Sequence, residues 1–359
     1  MTRRGRIAAA GLTGVVALVV VVVVRAGQGS GPTAATAAES FLGRYVEGDG
    51  RVVRIDQGGD TVSEGQAYAM LLAAADRDTA RFAQVWRWTR ENLEQPDGLL
   101  AWHWEDGRVV EASSAADADV DAAWALLLAA RRFGDRRYRV EGLALANAIL
   151  EHETVSLDGR SVLVAGDWAT TFPATVDPSY FSPAAFAALG RVSGDPRWGQ
   201  LRQTSQAILA QLTDRPTGLA PDWASVEPDG SARATPPPGQ EGEAVFGYDA
   251  VRVPLWQAAS CDAADRRLAA RAAPFLTEAI GGESPAAVYS LEGGPRGGAA
   301  GAPMLVAAAA ASDAAGKTAA GSELLARAEA ADEADHTYYG EALVALARES
   351  LEPEGGLAC

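Results

Sequence analysis

Three short stretches carry carboxylates in settings where one could give a proton and another take it. The first is Ser63-Glu64-Gly65-Gln66, followed by Tyr68 and Met70. Ser63 and Gln66 have the spacing of a capping box, which puts Glu64 at the first helical position and exposes its carboxylate at a helix mouth. A first-turn Glu is also what a helix dipole favours with no further role. The dipole lowers a carboxylate pKa, whereas a general acid at neutral pH needs it raised, so Glu64 can serve as an acid only where apolar burial or a second carboxylate outweighs the dipole.

The second stretch, Ser114-Ala115-Ala116-Asp117-Ala118-Asp119-Val120-Asp121, sets three acids on alternate residues at the entry to a helix. As a calcium loop it lacks the required Gly and the distal Glu. A solvated helix start accounts for Asp121 but not readily for Asp117 and Asp119, which sit among small apolar residues. The third is Gly247-Tyr248-Asp249-Ala250-Val251-Arg252-Val253-Pro254. Asp249 and Arg252 are three apart, so they read either as an ordinary surface ion pair or as a base held ionised by its cation.

Aromatic residues add a second theme. Trp102 and Trp104 flank a hairpin, Trp168 and Tyr180 lie in a loop-rich stretch, and Trp223 follows Pro221-Asp222. Large aromatics on loops over a concave scaffold make platforms for flat ligands, sugar rings included. Trp86, Trp88, Trp124 and Trp256 stand at helical positions and read as core packing.

Composition excludes other chemistry. The 359 residues carry 31 Lys plus Arg against 47 Asp plus Glu, a formal charge of −16 that repels nucleic acid. Two cysteines, Cys261 and Cys359, and three histidines, with no Cys-x-x-Cys and no paired His spacing, leave almost no ligands for a zinc or iron–sulfur centre, so neither a metal nor a cofactor is expected. A disulfide between the two cysteines is left open.

These residues need elements to hold them. Segments near 64–76, 79–94, 119–133, 138–152, 182–190, 198–213, 249–260, 264–280, 302–313, 320–331 and 337–349 combine helix formers with helical apolar spacing, and short Gly, Pro or Asp punctuation between them suits successive helix hairpins. Asp106-Gly107, Asp158-Gly159 and Asp229-Gly230 mark β-hairpin turns at one end of that helical body. At the amino terminus, Arg3, Arg4 and Arg6 precede an apolar run from Ile7 to Val24 closed by Arg25. Residues 1–25 are therefore expected to be a signal peptide or an uncleaved anchor that contacts the membrane, with the rest of the chain secreted or held outside the cytoplasm. Residues 26–38, rich in Gly, Ser, Thr and Ala, read as a flexible tether, and 39–359 as the working domain.

Taken in order, the three carboxylate stretches resemble those of glycoside hydrolase family 8, a family of endoglucanases that includes cellulases accompanying bacterial cellulose synthesis. The resemblance spans roughly residues 40–350. Ser63-Glu64-Gly65-Gln66 is similar to the family's acid motif, with Ala67 and Ala69 where Gly is more familiar; Ala115-Ala116-Asp117-Ala118-Asp119 is similar to its signature, departing at Ala116 and Ala122; Tyr248-Asp249-Ala250 with Arg252 and Pro254 matches its third motif. Asp177-Pro178-Ser179-Tyr180 and Pro221-Asp222-Trp223 match stretches that line the family's cleft.

The resemblance implies an all-α (α/α)6 barrel and hydrolysis of β-1,4-glucan with inversion, Glu64 being the general acid, Asp249 the general base and Asp117 a holder of the sugar at the cleaved bond. It places Tyr248, Arg252, Tyr180, Trp104, Trp102, Trp223 and Gln66 against the polysaccharide, in a protein expected to work as a monomer. Relatives acting on xylan, chitosan or mixed-linkage glucan, and a catalytically silent glycan-binding module, are the alternative readings.

Overall fold

The computed structural model describes residues 33–357. Expectations for residues 1–25, for most of the tether and for Cys359 lie outside that range, although Cys261 is itself disulfide-bonded.

Thirteen helices are found among the described residues: α1 (Ala34–Tyr45), α2 (Ser63–Ala75), α3 (Thr79–Asn92), α4 (Ala116–Phe133), α5 (Arg136–His152), α6 (Pro183–Ser193), α7 (Arg197–Leu212), α8 (Arg252–Ala258), α9 (Ala263–Ala270), α10 (Ala273–Gly281), α11 (Ala302–Ala314), α12 (Thr318–Ala334) and α13 (Tyr338–Leu351). Their composition sorts them into two layers. Nearly every residue of α2, α4, α8, α11 and α13 is buried. A helix that is apolar or small all round has no face to give to water and must sit inside. With α6 they form a closed ring, α2 against α4, α4 against α6, α6 against α8, α8 against α11, α11 against α13 and α13 back against α2. The helices between them, α1, α3, α5, α7, the α9–α10 pair and α12, bury one side only and make the outer layer. Six inner and six outer units in alternation are the (α/α)6 barrel. Alanine on the facing surfaces, such as Ala307 to Ala311 on α11, lets the ring close tightly.

Strands occupy the connections that lead from an outer helix to the next inner one. β1 (Thr61–Val62), β2 (His103–Glu105) and β3 (Arg108–Glu111) form one antiparallel sheet; β4 (Thr154–Leu157) pairs with β5 (Arg160–Leu163); β6 (Ala174–Val176), β7 (Trp223–Val226) and β8 (Ala232–Thr235) form a second sheet; β9 (Val245–Phe246), β10 (Ala286–Ser290) and β11 (Pro295–Ala299) a third, with β10 central. All three Asp-Gly pairs turn hairpins. Asp106-Gly107 and Asp158-Gly159 have both residues at positive φ, the geometry that matches the twist of two-residue hairpins.

Three sequence expectations are corrected. The tether does not reach residue 38: Thr33 caps α1, and Ala37 and Ala38 are buried. Four alanines among residues 34–38 propagate a helix once that cap exists. The segment 264–280 is two helices, because Pro274 in the first turn of α10 cannot donate the bond that would continue α9. The segment 249–260 is helical only over Arg252–Ala258, which leaves Asp249 in the turn before α8.

Candidate active site

Each inner helix points its amino terminus toward the strand-bearing end of the barrel, and the acids gather there. Glu64 and Asp117 lie in the first turns of α2 and α4, and Asp249 lies just before α8. A cavity of about 590 Å³ opens at this end, lined among others by Arg54, Glu64, Tyr248, Asp249, Tyr338 and Tyr339.

Arg252 organises the floor. It is 1% exposed, so the surface ion pair is ruled out. Its Nη1 donates to Glu64 Oε2 at 2.7 Å, to Asp117 Oδ2 at 2.7 Å and to the Tyr68 hydroxyl at 3.1 Å, while Nη2 reaches Asp249 Oδ1 at 3.3 Å. Asp177 Oδ2 lies 3.9 Å from Nη2 and accepts no hydrogen bond. One guanidinium thus spaces Glu64, Asp117 and Asp249 around itself.

Burial decides the protonation of Glu64. Removal from water raises its pKa to about 7, with Asp117 and Asp249 pushing the same way against Arg252 and Arg54. The conflict with the helix start is therefore resolved in favour of an acid that holds its proton near neutrality. Tyr338 hydroxyl lies 3.3 Å from Glu64 Oε1, an approach that a side chain at residue 65 would block, since a Cβ there would stand 2.6 Å from that hydroxyl. Asp249 is also raised by desolvation and by Asp117; Arg252 and a hydrogen bond from Trp223 oppose the shift and favour its ionised form.

Behind Asp249, Asp222 Oδ1 accepts the backbone N–H groups of Gly247 and Ala250 at 2.8 Å each. A Cβ on Gly247 would lie 2.6 Å from Asp222 Oδ2, so a larger residue there would displace that carboxylate. Desolvation and the Asp249 charge raise Asp222 to about 7. Asp119 and Asp121 are buried too, which corrects the solvated reading of Asp121. Asp119 Oδ1 accepts Leu100 N–H at 3.0 Å, and desolvation followed by Glu153 pushes Asp119 well above its usual range.

The other singled-out residues divide. Tyr180 has Arg252 over its ring at 5.4 Å and Trp223 edge-on at 6.3 Å, and Trp168, the most exposed tryptophan of this group, stands 6.4 Å from Trp223, so these three rings form a patch beside Asp249. Tyr248 is 56% exposed at the cavity, with its carbonyl accepting the Tyr339 hydroxyl at 2.6 Å. Trp104 and Trp102 lie at the β1–β3 sheet, not in the lining of the cavity: Trp104 packs on Trp88 and under Arg51, and Trp102 stacks on His103. Trp86, Trp88, Trp124 and Trp256 are core, as read.

Gln66 is corrected. It is fully buried, accepting Val52 N–H at 2.6 Å and donating to Thr89 Oγ1 at 2.8 Å, while Ser63 makes no cap and the helix starts at Ser63 itself. Gln66 holds the loop before Glu64 instead of touching a ligand. Arg54, Tyr338 and Tyr339 were missed, and Tyr68 was noted beside the first motif without a role. The Thr337 cap before the Tyr338-Tyr339 pair was the one local signal that two aromatics open an inner helix.

The model of the glycosyl hydrolases family 8 matches residues 11–349. This chain belongs to that family. An endoglucanase of Escherichia coli (strain K12) is 36% identical over 230 residues, 61% of this chain and 60% of that protein. An endoglucanase of Salmonella typhi is 35% identical over 255 residues, 67% of this chain and 66% of its own. The chain thus spans a little under two thirds of the length of these curated relatives. Among solved family 8 structures, the endo-β-1,4-glucanase CMCax from Acetobacter xylinum superposes with a TM-score of 0.73 at 26% identity, covering 88% of this chain and 96% of that one.

Proposed function

We propose that this chain cleaves β-1,4-glucan internally with inversion at the anomeric carbon. Glu64 protonates the glycosidic oxygen, and Asp249 takes a proton from the water that attacks the opposite face of the sugar. Asp117 sets negative charge beside the carbon where positive charge develops. The observation that carries this reading is the shared guanidinium: Glu64 at 2.7 Å on one nitrogen and Asp249 at 3.3 Å on the other. Both carboxylates fixed in this way line one cavity of about 590 Å³, which has room for a water in front of Asp249. Inverting enzymes need that space, whereas retaining ones bring the pair closer. Trp168, Trp223, Tyr180 and Tyr248 supply aromatic faces for successive sugar rings. The endoglucanase relatives support the substrate class, and the Arg-flanked apolar run at residues 7–24 supports an extracytoplasmic location at a membrane.

The test is release of reducing ends from carboxymethyl-cellulose with a parallel fall in viscosity, compared with the E64Q protein, and product anomers followed by NMR. Endo-cleavage giving α-anomer first supports the proposal. Binding without cleavage would leave a glycan-binding module, and β-anomer first would remove the inverting assignment.

A further inference from the structure

Apart from the cleft, a histidine and two carboxylates converge where α12 ends and α13 begins, beside the end of α1 that packs on α13. His336 Nδ1 is 3.3 Å from Asp332 Oδ2 and 3.6 Å from Glu341 Oε2, and the three candidate ligand atoms all lie within 4.8 Å of one another. Asp332 and Glu341 are buried, 6% and 3% exposed, while the histidine is open to solvent and provides a route in. Zinc binds His nitrogen and carboxylate oxygen at about 2.0–2.2 Å, and a tetrahedron of those dimensions separates neighbouring ligand atoms by roughly 3.3–3.6 Å. Two edges of the triangle already have that length.

An independent observation concerns Asp332. Its Oδ1 is buried without a well-formed hydrogen bond, the Thr337 backbone N–H is the carboxylate's other polar neighbour, and among the described residues its ion pair is with His336, with no Arg or Lys within 4 Å. Glu341, by contrast, takes Arg44 Nε at 2.9 Å and the Ser40 hydroxyl at 2.5 Å. The cluster holds two buried carboxylates but one permanent cation, and that cation serves the wrong one for Asp332. A charge this buried calls for a positive partner.

We propose that Asp332, His336 and Glu341 form a structural zinc site in which the metal and Arg44 compete. Arg44 Nη2 lies 3.2 Å from His336 Nε2, and a guanidinium can only donate, so Nε2 is the acceptor and the ring proton sits on Nδ1 facing the carboxylates. Zinc takes the Nδ1 lone pair. The ring proton then passes through solvent to Nε2, where it faces Arg44 N–H, and the Arg44 side chain, 38% exposed, swings outward. The fourth position is left to water. The site ties α12 to the residues that open α13, among them Tyr338 and Tyr339 at the cleft, and so acts on their placement without entering the chemistry.

The experiment is calorimetric titration of the metal-stripped full chain, free of any affinity tag, with zinc chloride, alongside thermal unfolding with and without the metal. One equivalent is expected to bind and to raise Tm. H336A and D332N are each expected to weaken binding at least tenfold and to abolish the rise in Tm, with unchanged far-UV circular dichroism. R44Q is expected to tighten it, because the competing cation is gone and the amide oxygen can accept from Nε2–H. Binding of equal strength in wild type and H336A would assign the zinc to the general acidity of the surface and overturn the proposal, as would the absence of a one-to-one event in both wild type and R44Q.

Discussion

Arg252 Nη1 stands 2.7 Å from Glu64 Oε2, an ion pair to the residue proposed as the general acid. The pair does not leave Glu64 permanently ionised, because its burial and its two acidic neighbours outweigh the guanidinium and bring its pKa to about 7. Arg252 has Asp117 at the same distance on the same nitrogen, so its charge is shared. It keeps the dyad together and tempers the proton affinity of the acid.

Removing the acid is the first consequence to measure. E64Q is expected to lower kcat by about 10²–10⁴ on unactivated glucan, the range of general acid–base contributions, with KM nearly unchanged. Initial rates on carboxymethyl-cellulose check this, and a rate within twofold of wild type would exclude Glu64.

For the proposed base, D249N is expected to abolish turnover while leaving glucan affinity largely intact, since the task proposed for Asp249 is to activate water and not to hold sugar. Affinity electrophoresis in glucan gels together with steady-state rates separates the two effects. Near-normal turnover in D249N would remove it from the mechanism.

The pH profile carries a sign. As the proposed acid Glu64 acts protonated, so kcat/KM is expected to fall as pH rises through about 7. Asp249 must be ionised, so activity is lost again on the acid side, at a pH above the ordinary aspartate range because burial raises that group. Asp117 raises Glu64, and D117N should move the alkaline limb to lower pH whatever it does to the maximum rate.

Stability should follow the same groups in the opposite sense to ordinary acid denaturation. Glu64 and Asp222 stand at about 7 and Glu153 at about 8 in the folded protein, all raised mainly by burial. Between the unfolded carboxylate pKa and these values the native state binds more protons than the unfolded one, so stability declines as pH rises from about 4.5 to about 8. Urea midpoints at pH 5 and pH 8 test this, the higher being expected at pH 5.

Gly65 offers a test of packing. A methyl group there would come within 2.6 Å of the Tyr338 hydroxyl and 3.2 Å of its ring. G65A is expected to destabilise by about 1–3 kcal/mol, the usual effect of overpacking, and to lower kcat by displacing Tyr338 from Glu64. Adding Y338F should return part of the stability, a coupling that a double-mutant cycle measures.

Much of the architecture was legible because it is written locally. Alanine-rich periodic segments, the three Asp-Gly turns and the Trp86, Trp88, Trp124 and Trp256 positions each depend on neighbours within a few residues. The misreadings share one cause. Thr33 and the alanines after it look like a tether until α1 has the barrel to pack on, Pro274 is hidden inside a continuous apolar pattern, and Ser63 and Gln66 have cap spacing but Gln66 is drawn into the core by Val52 and Thr89.

The sequence by itself marked Glu64, Asp117 and Asp249 as candidates, since they stand in recognisable local settings, and it determined that helices would carry them. Only the tertiary structure decided what those acids are. Residues 64, 117 and 252 are far apart along the chain and meet solely because the ring of inner helices closes, and the proton affinity of Glu64 comes from the water that closure removes and the charges it brings close. Spacing along a chain sets local geometry, whereas desolvation and charge–charge energies depend on distances through space.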